Sequence, residues 1–417
     1  MKSRSSSIVS TLALAAVVAL RASAAQAGGQ PEERELMTNN SHHSPKPFSV
    51  AATLAGLTLA AGVATDPGVQ SSAAAISNPQ ISTFATGFST PRGLKYNPND
   101  GAVYVAEGGT GGDLVAPDTP DCPAVYNPFT PYHSGYTGRV SRIWPDGRTE
   151  VVADHLASMA DAYNGLYGPA DVAFIGSTVY VLIQMGGCEK GLPNDLPAVL
   201  RINPDGSTTN VANLNAWIRA NPPHFVEDTD PATTDLEPDG VFNSMIAVGR
   251  YLYVVETNRN FILKVDPSNG AITKLFDMSI DNVDHNPTII ARHGDKFYVG
   301  SFDFAGPGAL YVFDKDFTGW TEPYSDMDEI NGMVFKGDDL YITTMFPWDN
   351  QWSANTGGLV KVKKGSGARS TVLSNYANQP SGLTVDDNGV FYVSNNTNTG
   401  DLNPGEGTVL KVRLSRP

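Results

Sequence analysis

The chain has 417 residues, 28 of them basic and 43 acidic, for a formal net charge of −15. That balance excludes electrostatic capture of nucleic acid or of an anionic membrane surface. The length suits two or three ordinary domains, or one large repeat domain.

At the N-terminus, Lys2 and Arg4 precede an apolar run from Ile8 to Leu20, and Ala25-Gln26-Ala27 offers a small-x-small cleavage site. Residues 1–27 read as a secretory signal peptide, which predicts a secreted or periplasmic protein. A second stretch, Phe48 to Ala64, is rich in Ala and Gly. It reads either as the true signal, with translation starting at Met37, or as part of a low-complexity linker over 28–77. It is too short and too weakly apolar for a membrane span, so no span is expected in the mature chain.

From residue 78 onward one short pattern recurs six times: Val103-Tyr104-Val105, Val179-Tyr180-Val181, Leu252-Tyr253-Val254, Phe297-Tyr298-Val299, Leu340-Tyr341-Ile342 and Phe391-Tyr392-Val393. Each tyrosine strand is preceded by another. These open at Pro91-Arg92-Gly93-Leu94, Pro169-Ala170-Asp171-Val172, Phe242-Asn243-Ser244-Met245, Asn286-Pro287-Thr288-Ile289, Ile330-Asn331-Gly332-Met333 and Pro380-Ser381-Gly382-Leu383. Gly- and Asn-containing turns such as Asp386-Asp387-Asn388-Gly389 join the two strands, because tight hairpins need positive φ. A third strand of alternating polarity follows, for example Val409-Leu410-Lys411-Val412, and Asp-Gly or Asn-Gly turns lead into a fourth. A strand unit that cannot bury its own face must stack on its neighbours, and strand-only repeats of this size close into a ring. The expected fold is therefore all-β, a six-bladed β-propeller over 78–417. The last copy has no room for a fourth strand, while Ile81 to Thr86 has no first strand to serve. Giving that N-terminal strand to the last blade closes the ring and removes both open edges.

The first two intervals between tyrosines are much longer than the others. Their excess lies in Gly111–Thr137, Asp154–Gly168 and Asn215–Val241, with a further long loop from Met345 to Gly357. All four are expected on the face where the first strands begin, and long loops gathered on one face of a rigid scaffold carry function. They hold many aromatics, of which Phe346, Trp348 and Trp352 are the candidates for lining a ligand mouth; loop packing is the alternative role for such rings. Arg92 at the channel and His285 on a loop complete the candidate ligand-binding set. An acidic cluster from Glu227 to Asp239 has no EF-hand spacing and reads as a solvated loop. Cys122 and Cys188 follow the tyrosine strands of neighbouring blades. Loops at that position share a face, and an exported chain meets an oxidising compartment, so the two are expected to form a disulfide rather than stay free thiols.

The residue opening each first strand faces the channel in such a ring. Asn243, Asn286 and Asn331 occupy three of these positions, and Glu256 ends a tyrosine strand on the same face. Amide and carboxylate oxygens are hard-cation ligands, so these four are candidates for binding Ca2+; capping of a turn by Asn is the alternative.

The sequence from Thr86-Gly87-Phe88-Ser89-Thr90-Pro91-Arg92-Gly93-Leu94 through Val103-Tyr104-Val105-Ala106-Glu107-Gly108-Gly109, with Cys122, Arg139-Val140-Ser141-Arg142-Ile143 and Gly168-Pro169-Ala170-Asp171-Val172, resembles the ScyD/ScyE family of exported propellers with NHL-type repeats. The resemblance covers roughly residues 80–417 and implies an extracytoplasmic role, in secondary metabolism, without supplying a reaction. Where that family shows Asp-Ser-Asn-Pro-Tyr-Gly, this chain has Asp239-Gly240-Val241-Phe242-Asn243-Ser244. Asn331-Gly332-Met333 is also similar to the metal-binding Asn-Gly-Leu of SMP-30 and gluconolactonase-type lactonases, with Asn243 as a second ligand. Their first-blade glutamate has no counterpart at Thr90-Pro91-Arg92, where a cation would face Arg92.

Three functions remain open on sequence. The first is a monomeric binding module for a small, partly apolar molecule or a protein partner. The second is a calcium-dependent lactonase, hydrolase or lyase. The third is a surface structural or assembly protein. Neither a Gly-x-Ser-x-Gly elbow nor a His-Glu-x-x-His motif is present to support serine-hydrolase or zinc-protease chemistry.

Overall fold

The computed structural model describes residues 79–120, 122, 129–163, 165–226, 236–303, 306–364, 366–397 and 405–414. The expected signal peptide and the 28–77 segment lie outside them, as does most of the acidic cluster from Glu227 to Asp235. The described residues form six antiparallel sheets, five of four strands and one of five. The innermost strands are Pro91–Asn97, Pro169–Ile175, Phe242–Val248, Pro287–His293, Ile330–Lys336 and Leu383–Val385. Each touches the next and the last touches the first, so the sheets close into a ring of six blades.

The closure is the one the sequence required. The strand Gln80–Phe88 pairs antiparallel with Gly407–Arg413, placing Ile81 opposite Val412, and serves as the outermost strand of blade 6. Strands from the start and the end of the repeat region thus share one sheet and complete its four strands.

Six apolar clusters hold the ring, and each lies between two consecutive blades. The repeated tyrosines explain why. Tyr104 meets Phe174 of the next blade edge-on at 5.0 Å, Tyr253 stacks on Phe297 at 4.9 Å, Tyr298 meets Phe335 at 4.9 Å and Tyr341 meets Phe391 at 4.7 Å. A ring at this position buries its face on the following blade rather than within its own sheet. Burying a side chain such as Phe297 or Phe391 contributes about 1.5–3 kcal/mol. The glycines of Pro-x-Gly-Leu serve the same closure nearer the axis. A Cβ on Gly93 would lie 2.4 Å from Asp171 Oδ1, and one on Gly382 would lie 2.5 Å from the Arg92 carbonyl oxygen. Only a residue without a side chain lets the innermost strands approach so closely.

Two of the segments read as loops contain regular structure. Leu214–Ala220 is a short helix whose N-cap Asn213 accepts a hydrogen bond from the Ala216 N–H at 3.0 Å. Leu214 and Ile218, one turn apart, are both buried against blades 2 and 3. In the first blade, Thr149–Ala160 runs long and Leu166–Tyr167 adds a fifth strand beside it. These two elements belong to the connection from blade 1 to blade 2, whose Leu166 carbonyl meets Arg92. The expected disulfide is present: Cys122 and Cys188 are bonded with their Cα atoms 5.7 Å apart. No helix among the described residues is long and apolar enough to cross a membrane.

Candidate functional site at the channel mouth

The hairpin register defines a ring of equivalent positions at the channel mouth. Pro91 pairs with Glu107, Pro169 with Ile183, Phe242 with Glu256, Pro287 with Ser301 and Ile330 with Thr344. The residue just past each of these strand ends is Gly108, Gln184, Thr257, Phe302 and Met345 in turn. Blades 1–3 therefore supply a polar arc and blades 4 and 5 an apolar one.

Arg92 dominates the polar arc. Its Nη1 donates to the Leu166 carbonyl at 3.2 Å and its Nη2 to Asn243 Oδ1 at 3.3 Å. Gln184 Nε2 also donates to Asn243 Oδ1, at 2.5 Å, while Asn243 Nδ2 donates to Thr257 Oγ1, which donates onward to the Pro287 carbonyl at 2.7 Å. This polar network spans blades 1 to 4. Burial lowers the Arg92 pKa to about 10, with the nearby Tyr167 and Asp171 partly offsetting the loss of solvation. Asp171 is itself engaged by Lys95 at 2.9 Å and by the Met245 N–H at 2.9 Å. Tyr167 donates to Asp161 at 2.6 Å, and Asp161 also accepts the N–H groups of Tyr163 and Gly165.

The loops above this arc are fixed by a buried ionic knot. Lys190, just after the disulfide-bonded Cys188, is fully removed from solvent with its ammonium 2.7 Å from Glu237 Oε2. Tyr132 donates to the other oxygen of Glu237. Arg219 ties Asp239 and Glu189 together, and Arg259 donates to the Glu237 and Pro238 carbonyls. The described parts of the long loops of blades 1 and 2 are thus linked to one another. The signal for this was available in Lys190, the cation nearest Cys188, but nothing in the sequence showed its partner.

The apolar arc is a buried cluster of Phe302, Met345 and Phe346. Trp352 lies over it, 5.0 Å from Phe346 and 6.1 Å from Phe302 between ring centroids. Trp348 and Trp352 remain 43% and 41% exposed, so their faces are open to a ligand. Phe346 has no exposed surface, which corrects its expected place in the lining: it is the floor on which Trp352 rests. Gln379 Nε2 donates to the Trp352 carbonyl at 3.3 Å and the Asn355 N–H donates to Asn378 at 2.9 Å, linking this loop to the approach to blade 6. Blade 6 adjoins blade 1, where Ser381 donates to the Pro91 carbonyl at 3.4 Å.

His285 is also placed differently from expectation. Its two ring nitrogens meet Tyr311 Oη at 2.9 Å and Asp281 at 3.0 Å, and its ring packs edge-on against Trp320. It pins a loop and has no ring nitrogen left for a ligand.

The four residues expected as ligands of a hard cation are differently engaged. Asn243 Oδ1 already accepts from the Arg92 guanidinium, whose charge would repel one. Glu256 is fully buried, with one oxygen accepting the Val241 N–H at 2.9 Å and the other the Arg259 N–H at 2.6 Å. Asn286 donates to Asp284 at 3.1 Å from a left-handed backbone position with φ of 44°. Asn331 is half-buried on blade 5. Among the described residues no three His, Cys, Asp or Glu side chains converge as metal ligands. Glu107 repeats the Glu256 arrangement, taking the Ser89 N–H at 2.9 Å together with Arg139 and Ser141. In blades 1 and 3 these glutamates tie the approach to the innermost strand to the second strand of the same blade. Burial pushes the Glu256 carboxyl up to about 7. It pushes Glu329, before the innermost strand of blade 5, up to about 8, with Asp303 and Asp328 adding to the rise.

No protein family matches the chain, and no curated protein matches it by sequence. Solved structures do. A protein described as an oxidoreductase (glucose dehydrogenase) from Thermus thermophilus superposes with a TM-score of 0.51 and 15% identity, over 81% of this chain and 100% of that one. An auxiliary nutrient binding protein from Bacteroides thetaiotaomicron gives 0.49 and 10%, over 81% and 77%. A gluconolactonase from Xanthomonas campestris gives 0.48 and 11%, over 83% and 93%. The likeness to the first supports the fold and no more at that identity: this chain is a six-bladed β-propeller protein.

Proposed function

We propose that this chain is an exported propeller of the ScyD/ScyE type that binds a small, partly apolar molecule at its channel mouth. The observation that carries the reading is the division of that mouth. One arc joins Arg92, Asn243, Gln184 and Thr257 in a hydrogen-bonded network, and the other sets an exposed Trp352 against the buried Phe302 and Phe346. A two-sided lining of this kind suits a ligand with a polar end and an apolar body. Rigidity supports it further, because the disulfide and the buried ionic knot hold the blade 1 and 2 loops in place, so little ordering is left to oppose binding. A calcium-dependent lactonase, hydrolase or lyase is the second reading, in which Asn243 of the expected ligand set would have to give up its hydrogen bond from Arg92.

The test is equilibrium titration of small aryl and alkyl compounds, followed by tryptophan fluorescence. Trp352→Ala is expected to weaken binding of every compound that the wild type takes up. Unchanged binding in Trp352→Ala and Trp348→Ala would sink the aromatic mouth. Absence of binding across the panel would favour a protein partner or a structural role at the cell surface.

A further inference from the structure

The Arg92 guanidinium makes no direct ion pair, although Asp171 lies near enough to favour its charge. Its two hydrogen bonds go to neutral acceptors, a carbonyl and an amide oxygen. Arginine has five N–H donors in a planar fork, so three are unassigned, and the Nε–H is buried without a partner. Among the described residues no carboxylate forms an ion pair with Arg92, in a chain where acids outnumber bases by 43 to 28. The other cations nearby are all paired: Lys95 with Asp171, Arg139 with Glu107, Lys190 with Glu237 and Arg219 with Asp239. A second orphan stands beside it. Gln184 is 2% exposed, its Nε2 is committed to Asn243, and its Oε1 has no donor. A cation without a hydrogen-bonded counter-ion in a partly desolvated site costs stability unless something supplies one. Here the fold keeps the cost on one residue, and it does so at the mouth.

We propose that Arg92 is the anchor for a carboxylate group on the bound small molecule. The carboxylate would take the free edge of the guanidinium, where paired N–H donors match its two oxygens. The Gln184 Oε1 would accept from a hydroxyl or amide donor next to it. Leu166 and Asn243 each accept from one terminal nitrogen, so the guanidinium is oriented before the ligand arrives. This inference rests on the small-molecule reading above and names the chemistry of its polar end.

Matched pairs test it: phenylacetate against phenylacetamide, and hexanoate against hexanamide. Each is titrated into the wild-type protein, Arg92→Gln, Arg92→Lys and Trp352→Ala, with near-UV circular dichroism to show that each variant is folded. The wild type is expected to prefer each acid over its amide by about tenfold or more, as a charge-assisted pair gives. Arg92→Gln abolishes that preference, and Arg92→Lys retains part of it if the charge alone matters. Trp352→Ala weakens acid and amide alike and leaves their ratio. Equal binding of acid and amide by the wild type, or a preference that survives Arg92→Gln, overturns the proposal while leaving the binding module intact. Acid binding that needs Arg92 and ignores Trp352 keeps the anchor and removes the aromatic mouth. Failure of all four compounds to bind overturns both.

Discussion

Arg92 and Asn243 are separated by 151 positions in sequence and meet at 3.3 Å across the channel mouth. The contact joins blade 1 to blade 3 and skips blade 2, whose Gln184 inserts between them by donating to the same amide oxygen. One asparagine oxygen therefore organises donors from two other blades.

Removing that oxygen leaves two donors without an acceptor in a partly buried site. Asn243→Leu is expected to cost about 1–3 kcal/mol, the penalty of unsatisfied buried donors. The measurement is the denaturation midpoint at constant slope. Exhaustive dialysis against a chelator is expected to leave the wild-type midpoint where it was, because the oxygen faces a guanidinium. A chelator-induced drop that Asn243→Leu abolishes would favour the calcium-dependent reading instead.

The Lys190–Glu237 pair gives a sharper case, since neither group reaches solvent. Lys190→Met should destabilise by about 3–5 kcal/mol, because it strands a buried carboxylate. Lys190→Met combined with Glu237→Gln removes both charges and should recover a large share of the loss. Equal losses in the single and double variants would show that packing, not charge, sets the cost.

The raised Glu329 carboxyl makes a pH prediction with a definite sign. The folded value is about 8 against an ordinary 4.5, with burial the main cause. Between those two values the folded state holds a proton that the unfolded state has released. Stability from this group is complete below about 4.5, falls as pH rises through the window, and is flat above about 8. Glu329→Gln, which cannot ionise, should therefore gain on the wild type as pH rises from about 5 to about 8. A difference between the two proteins that stays constant over that range would show that Glu329 is not protonated in the folded chain.

Much of the fold could be read because each blade solves the same physical problem. The tyrosine, the turn glycine and the alternating third strand recur in every copy, so Tyr104, Tyr253 and Tyr341 announce the ring together. The closure was legible for the opposite reason: Ile81 to Thr86 and the end of the chain were each incomplete alone. The site was legible only in part. Arg92 and Asn243 were recognisable as channel residues by position, but their contact depends on side-chain direction across two blades. Gln184 and Thr257 were missed, although both stand one residue past the end of a second strand, because polar residues at strand ends usually meet solvent. Phe346 and His285 were misread for a common reason. A loop aromatic or histidine looks the same in sequence whether it faces solvent or a buried neighbour, and only Phe302 and Asp281 decide which. The Leu214–Ala220 helix was hidden by its length, since two turns give too short a period to see.

The disulfide should matter through the chain it closes. Cys122 and Cys188 are 66 positions apart, and linking residues at that separation removes about 4 kcal/mol of unfolded-state freedom in the chain-entropy account. Cys122→Ser with Cys188→Ser is expected to lose about 2–4 kcal/mol in denaturant. Reductant should lower the wild type to the level of the double variant and leave the variant unchanged. A wild type indifferent to reductant, with the thiols shown to be free, would mean that the buried ionic knot alone holds the loops.

The N-terminal strand offers the most direct test of ring closure. Phe88 is 2% exposed and sits in the cluster between blades 6 and 1, beside Leu94, Val103 and Tyr392. Ile81, on the same strand, is 41% exposed. If the strand closes the ring by filling that interface, Phe88→Ala should cost about 3–5 kcal/mol, as for other buried phenylalanines. Ile81→Ala should cost less than about 0.5 kcal/mol. The contrast matters more than either value, because both residues belong to the same backbone ladder. Equal small losses would mean that the strand is held by its hydrogen bonds alone. Equal large losses would mean that its outer face is covered as well, by a surface that remains to be found.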